Sequence, residues 1–143
     1  FRGPMPGING TKLYTAIGTG GHVDEFARFV GLSTVLLAHV SRRQREASPL
    51  AKLTGVRLDR DFELLKQQKD QDGNNLIVLR LPSPDELSIQ MDRNDGTFSL
   101  LTQLPALALD NTSIVDVVLA TSYNNYVIAN DVVVIPKYYK QGR

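Results

Sequence analysis

Two apolar, β-rich runs only three residues apart limit what this chain can build. The first lies within His22-Val23-Asp24-Glu25-Phe26-Ala27-Arg28-Phe29-Val30 and the second is Thr34-Val35-Leu36-Leu37-Ala38-His39-Val40, with Gly31-Leu32-Ser33 between them. Extended runs this close pair as an antiparallel hairpin, because a parallel pair needs a crossover of about a dozen or more residues. Over Asp59–Gln71 the pattern becomes helical: Leu58, Phe62 and Leu65 fall at i, i+4 and i+7, with Lys66, Gln67, Lys69 and Asp70 facing outward. Asp59 or Asp61 can cap the start, and Asp72-Gly73-Asn74-Asn75 ends it. Leu76-Ile77-Val78-Leu79-Arg80-Leu81 then predicts a buried strand closed by Pro82. The order is strand, strand, helix, strand, and the fold class it predicts is α/β.

The flanks extend this unit. Residues 1–21 contain Gly3, Gly7, Gly10, Gly18, Gly20 and Gly21 with Pro4 and Pro6, and predict a Gly/Pro-rich lead-in with a short strand at Lys12–Ile17. Residues 22–82 form one complete module, with Ser41–Pro49 read as a solvated loop despite its Arg42, Arg43 and Arg45. Residues 83–112 predict an insertion loop with minor strands, since Ser83-Pro84-Asp85 and Asp92-Arg93-Asn94-Asp95-Gly96 are turn material around short apolar pieces. Residues 113–143 predict the opening hairpin of a second module. Its strand-like runs, Ile114–Ala129 and Val132–Tyr138, join at Asn130-Asp131, residue types that tolerate the positive φ of a tight turn. By analogy with the first module a helix and a strand follow, so the chain, which starts at Phe1 without an initiator Met, is expected to be a piece of a longer one.

Composition narrows the function classes. Sixteen basic residues oppose fifteen acidic ones for a net charge of +1, so neither nucleic acid nor an anionic membrane is an expected partner. Five Tyr, five Phe and no Trp make a poor platform for stacking bases. The absence of cysteine excludes disulfides, thiolate metal sites and a cysteine nucleophile within these residues. It fits a reducing compartment, and the expected location is cytoplasmic. No apolar stretch approaches the ~20 residues of a membrane helix. Asp70–Asn74 and Asp92–Gly96 look like fragments of calcium loops but lack the full ligand ladder, and read as turns. His39, in an apolar run, reads as structural. No metal and no cofactor are expected.

Two short segments carry candidate chemistry. In Gly21-His22-Val23-Asp24, a strand would place His22 and Asp24 on one face. A His beside a carboxylate can be a general acid–base pair, half a metal site or an ion pair, and a solvent-facing His near an Asp has the same spacing. Gly18-Thr19-Gly20-Gly21 would let a ligand approach the backbone, but it matches neither a phosphate loop nor a dinucleotide fingerprint. Ser122-Tyr123-Asn124-Asn125-Tyr126 puts polar groups at the mouth of an apolar hairpin, as ordinary strand-end polarity or as a pocket wall.

Read together, these segments resemble a known family. Gly20-Gly21-His22-Val23-Asp24-Glu25-Phe26-Ala27-Arg28-Phe29-Val30, followed by Thr34-Val35-Leu36-Leu37-Ala38, is similar to the His-x-Asp segment of the agmatine deiminase and peptidylarginine deiminase superfamily. Ser122-Tyr123-Asn124-Asn125-Tyr126-Val127-Ile128-Ala129-Asn130, continuing Val132-Val133-Val134-Ile135-Pro136, is similar to that family's next hairpin. The resemblance covers residues 20–138 and implies a pentein fold, a five-bladed α/β propeller of ββαβ modules, with about two of its blades present here. It implies a hydrolase of guanidinium groups that converts agmatine to N-carbamoylputrescine and ammonia, a step of putrescine biosynthesis, through a Cys-thiouronium intermediate. The alternatives are deimination of peptidyl arginine, or an inactive propeller fragment acting as a binding module.

The resemblance also implies roles for individual residues. His22 becomes the general acid–base, Asp24 a carboxylate that grips the guanidinium, and Asn125 a substrate-positioning amide. The chemistry is coherent, because a planar, permanently charged fork is held best by carboxylates and an imidazole can both give and take a proton. The family's nucleophilic cysteine and its other guanidinium carboxylate match nothing in these residues. The implied partner besides the guanidinium substrate is therefore the remaining part of the propeller, from the same gene or a second chain. Alone, this chain is not expected to catalyse the reaction.

Overall fold

In the computed structural model, residues 22–96, 98–103, 109–110 and 112–138 are described, and the expected lead-in strand at Lys12–Ile17 lies outside the described residues. The described residues divide into two compact units, 22–85 with 121–138, and 86–120.

The first unit is organised by the hairpin expected from the sequence. Strand β1 (Ala27–Phe29) pairs antiparallel with β2 (Thr34–His39), with Ala27 opposite Leu37 and Phe29 opposite Val35. Two helices follow, α1 (Arg42–Ala47) and α2 (Pro49–Lys66), and return the chain to β3 (Ile77–Pro82). Strand β3 lies parallel to β2, with Thr34 opposite Ile77 and His39 opposite Pro82, giving the sheet order β1-β2-β3. Leu37 and Val40 are buried against Ala51 and Leu58 of α2, with Phe26, Ala27, Ala38, Phe62, Leu65 and Val78 packed around them. The expected strand, strand, helix, strand order is thus present, with α2 closing one face of the sheet.

Three details of this unit depart from expectation. Ser41–Pro49 is helical over most of its length, because Ser41 starts α1 with a capping box: Gln44 N–H donates to Ser41 Oγ at 3.3 Å and Ser41 N–H donates to Gln44 Oε1 at 2.8 Å. The main helix starts at Pro49 and ends at Lys66, where the sequence reading has Asp59–Gln71. Ser48 caps it, accepting from Ala51 N–H at 3.2 Å, and Pro49 occupies its first turn, where a missing N–H costs nothing. Strand β3, expected to be buried, covers one face only. Val78 reaches the core while Ile77 and Leu79 remain about half exposed.

The hairpin of β6 (Val127–Ala129) and β7 (Val132–Val134) also belongs to this unit, with Val127 opposite Val134 and Ala129 opposite Val132. It turns at Asn130-Asp131, and Asp131 has φ 61°, the left-handed conformation that the residue type predicts. All six of its strand residues are apolar and exposed.

The second unit pairs β4 (Ser88–Met91) antiparallel with β5 (Val115–Val118), Met91 lying opposite Val115. A short helix, α3 (Phe98–Thr102), packs Phe98 and Leu101 against Met91, Val115 and Val117. A minor strand was expected here and a helix was not. The expected single run Ile114–Ala129 is two strands in different sheets, β5 and β6. Between them the chain is a loop, in which Asn124 N–H donates to Ser122 Oγ at 3.0 Å.

Candidate active site

The segment carrying His22 and Asp24 is a turn and not a strand. Val23–Glu25 form a single 3-10 turn, with His22 in extended backbone at its start, Glu25 N–H donating to His22 C=O at 3.2 Å and Phe26 N–H donating to Val23 C=O at 3.1 Å. The strand face expected to align His22 with Asp24 is therefore absent. Ladder pairing begins only at Ala27, and the acidic pair Asp24-Glu25 sits in the first turn, where backbone N–H groups point toward negative charge. The side chains of His22 and Asp24 are exposed, and that of Glu25 is half-buried.

Residues 121–126 form the other half. Ser122, Asn124 and Tyr126 turn inward and are buried, and Asn125 is exposed. Ser122 Oγ donates to the carbonyl of Glu25, joining the loop to the His22–Glu25 turn across 97 residues of sequence. Tyr138 Oη accepts from Ser122 N–H and donates to Ser122 C=O, each at 3.0 Å. Arg28, on β1, donates to the carbonyls of Asn124 at 3.2 Å and Tyr126 at 2.5 Å, and its guanidinium lies 4.1 Å from the centre of the Tyr126 ring.

The structure therefore brings together the segments that hold His22, Asp24 and Asn125. Among the described residues none of the three has a hydrogen-bond or ion-pair partner. Glu25 and the 121–124 stretch line a small cavity with Ala38, Leu81, Pro82, Ser83 and Pro84, and Asn124 is 1% exposed with neither side-chain amide atom partnered among the described residues. The opposite wall is held by α1. Gln44 Nε2 donates to the carbonyls of Ser83 and Pro84 at 3.0 and 3.1 Å, and Arg43 pairs with Asp85 at 2.9 Å.

Sequence reasoning missed Arg28, Ser122 and Asn124. Arg28 left a signal, a cation inside the otherwise apolar Phe26-Ala27-Arg28-Phe29 run, where a charge needs a partner. Ser122 and Asn124 lay in the polar segment read either as strand-end polarity or as a pocket wall, and both line the cavity, but nothing in the sequence told them apart from their neighbours.

A second polar cluster lies at the carboxyl ends of β2 and β3. Arg45 binds Asp59 with two bonds of 2.6 and 3.1 Å, and Arg80 donates to the same carboxylate at 3.0 Å and contacts His39 Nδ1 at 3.1 Å. Bonding to Arg45, with Arg80 adding to it, holds the Asp59 carboxyl down at about 2. His39 is lowered from the usual imidazole range by burial first and then by Arg80 and Arg45, so the structural role read for it agrees with a neutral ring accepting from Arg80. Asp70, also at about 2, is held by Ser33 Oγ and by the N–H groups of Asn74 and Asp72, a turn closed on itself as the sequence reading has it. No group of three His, Cys, Asp or Glu side chains able to hold a metal occurs among the described residues.

Comparison with known proteins gives the family of the chain. A family model described as Porphyromonas-type peptidyl-arginine deiminase matches residues 7–142. A Latilactobacillus sakei protein named "Putative agmatine deiminase" is 30% identical over 118 residues, and a Listeria monocytogenes protein named "Putative agmatine deiminase 2" is 25% identical over 118. Each match takes in 82% of this chain, which spans 28% of the length of these relatives. A solved structure described as a putative arginine deiminase from Porphyromonas gingivalis superposes with a TM-score of 0.53 at 21% identity, over 86% of this chain and 27% of that one. A second, described as a putative peptidyl-arginine deiminase, gives 0.52 at 21% identity, over 86% and 28%. At that identity the structures speak for the fold alone.

Proposed function

Because the chain belongs to the Porphyromonas-type peptidyl-arginine deiminase family, we propose that it is the part of a guanidine deiminase that carries the proton-transfer histidine and a guanidinium-gripping carboxylate. The observation that carries this reading is the Ser122–Glu25 bond. Two segments far apart in sequence, each resembling a functional motif of the family, are joined directly, and the side chains that would act have no partner among the described residues.

In this reading Asp24 binds the guanidinium N–H groups and fixes its plane. A cysteine thiolate from outside residues 1–143 attacks the guanidinium carbon and forms a tetrahedral adduct. His22, as imidazolium, gives its proton to the departing nitrogen, ammonia leaves, and a thiouronium remains. His22 then takes a proton from water as the oxygen adds to the same carbon, and collapse of this adduct expels the thiolate and releases the ureido product, the remaining hydroxyl proton passing to solvent, where the released ammonia takes it up. Both steps need one imidazole that can reach the reacting atoms, which suits the exposed His22. Asn125 positions the substrate beside it. The carbon is never oxidised or reduced, so the chemistry calls for no redox cofactor.

We assign agmatine as substrate on the names of the curated relatives, with N-carbamoylputrescine and ammonia as the products that deimination gives; a cytoplasmic location belongs to the same proposal. The second reading, peptidyl arginine, is favoured by the description of the family model. The five-bladed propeller, its division at residues 22–82, 83–112 and 113–143, and a partner segment holding the cysteine belong to the same proposal. Ammonia release by the complete protein from agmatine and from an arginine-containing peptide, side by side, tests it. Turnover of agmatine alone supports the assignment, turnover of the peptide alone replaces the substrate, and release from neither leaves the fragment as a binding module.

A further inference from the structure

The hydroxyl of Ser122 sits between the two segments of the proposed site. A serine hydroxyl has one proton and two lone pairs. Here the proton goes to the carbonyl of Glu25, the last residue of the turn that holds Asp24, and a lone pair receives Asn124 N–H at 3.0 Å. The backbone of Ser122 is fixed independently by the two bonds to Tyr138 Oη. With Ser122 only 5% exposed, water has little access to replace either hydroxyl bond. The loop is thus anchored twice, by Arg28 to β1 and by Ser122 to the turn, and Asn125 lies between these anchors.

We infer that Ser122 is a positioning residue, whose hydroxyl sets where the His22–Glu25 turn stands relative to Asn125. The inference rests on the proposed roles of His22, Asp24 and Asn125. Ser122 acts through backbone groups on either side of it and does not itself meet the substrate. The turn has two internal backbone bonds and is tied to β2 at its end, where Ala38 N–H donates to Phe26 C=O at 2.7 Å, so the link at the Glu25 carbonyl is the second tether that fixes how the turn is oriented about that end. A displacement of about 1 Å at a reacting group can cost roughly a hundredfold in rate.

Two measurements test this, one independent of catalysis. In the chain itself, Ser122→Ala is expected to speed amide exchange at Glu25, Phe26 and Asn124 about tenfold or more relative to amides of β2, and Ser122→Thr, which keeps the hydroxyl, to restore it. In the complete enzyme, Ser122→Ala is expected to lower kcat about 10- to 100-fold with a smaller change in KM, and Ser122→Thr to recover most of it. Leu58→Val, a packing change in the core away from the site, is expected to lower stability and leave kcat unchanged. Unaltered exchange at Glu25 and Phe26 in Ser122→Ala would overturn the inference, as would a kcat within about twofold of wild type or an equal loss of kcat in Leu58→Val. If the wild-type enzyme releases no ammonia, the functional reading fails, and the exchange measurement still decides whether Ser122 holds the turn.

Discussion

Replacing Arg28 by Met should loosen the loop that carries Asn125 while keeping most of the buried side-chain volume. The guanidinium makes two charge-assisted bonds to backbone carbonyls and lies over the Tyr126 ring. A hydrogen bond to a charged group contributes about 1.5–3 kcal/mol, and a cation–π contact about 0.5–1 kcal/mol at an accessible site. Arg28 is only part-buried, so water recovers a share of what is lost, and about 2–3 kcal/mol is the expected net destabilisation. Equilibrium urea unfolding of wild type and Arg28→Met measures this as a lower midpoint at unchanged slope. Arg28→Lys separates charge from geometry. A single ammonium cannot reproduce the fork that reaches both carbonyls, so Lys should recover less than half of the loss. An Arg28→Met cost below about 0.5 kcal/mol, or full rescue by Lys, would refute the reasoning that the fork holds the loop.

Two further perturbations probe the polar cluster on α2. Asp59, at about 2, lies below the ordinary carboxyl range, so its pairing with Arg45 and Arg80 stabilises the fold fully above about pH 4 and is lost as pH falls toward 2. The carboxylate is 43% exposed, so the effect should be modest, and Asp59→Asn should flatten the pH dependence of stability in that window. An unchanged acid limb in unfolding curves would contradict the pairing. Gly55→Ala should destabilise α2 despite the better helix propensity of Ala, worth ~1 kcal/mol. Its new Cβ would come within 2.5 Å of Arg45 Nε, and that guanidinium cannot easily yield while it is bound to Asp59 and to Val40 C=O. A raised melting temperature for Gly55→Ala would show that Arg45 is free to move.

The sequence made the module legible where local and tertiary forces agree. The hairpin of β1 and β2, the return through a helix to β3 and the Asn130-Asp131 turn all follow from apolar runs, their separation and turn chemistry. Helix α1 was hidden because its six residues are all polar or small, and its start lies in the reciprocal bonding of Ser41 and Gln44, which a hydrophobic pattern does not register. The start of α2 was misplaced for the same reason. Asp59 looks like a cap, yet its carboxylate is spent on Arg45 and Arg80, and the true cap is Ser48. At the site, the motifs were visible as strings, but the turn geometry of His22–Glu25 was not, since alternation suits a strand equally well. The staple between Ser122 and Glu25 is a long-range contact, and no local pattern encodes it.

Turnover in His22→Ala and Asp24→Ala variants of the complete protein, measured as ammonia released from agmatine, tests the central claim most directly. Both side chains are exposed and have no hydrogen-bond or ion-pair partner among the described residues, so neither change should alter the unfolding midpoint, and both should abolish release. Near-normal turnover in either variant, with the wild type active, would contradict the account.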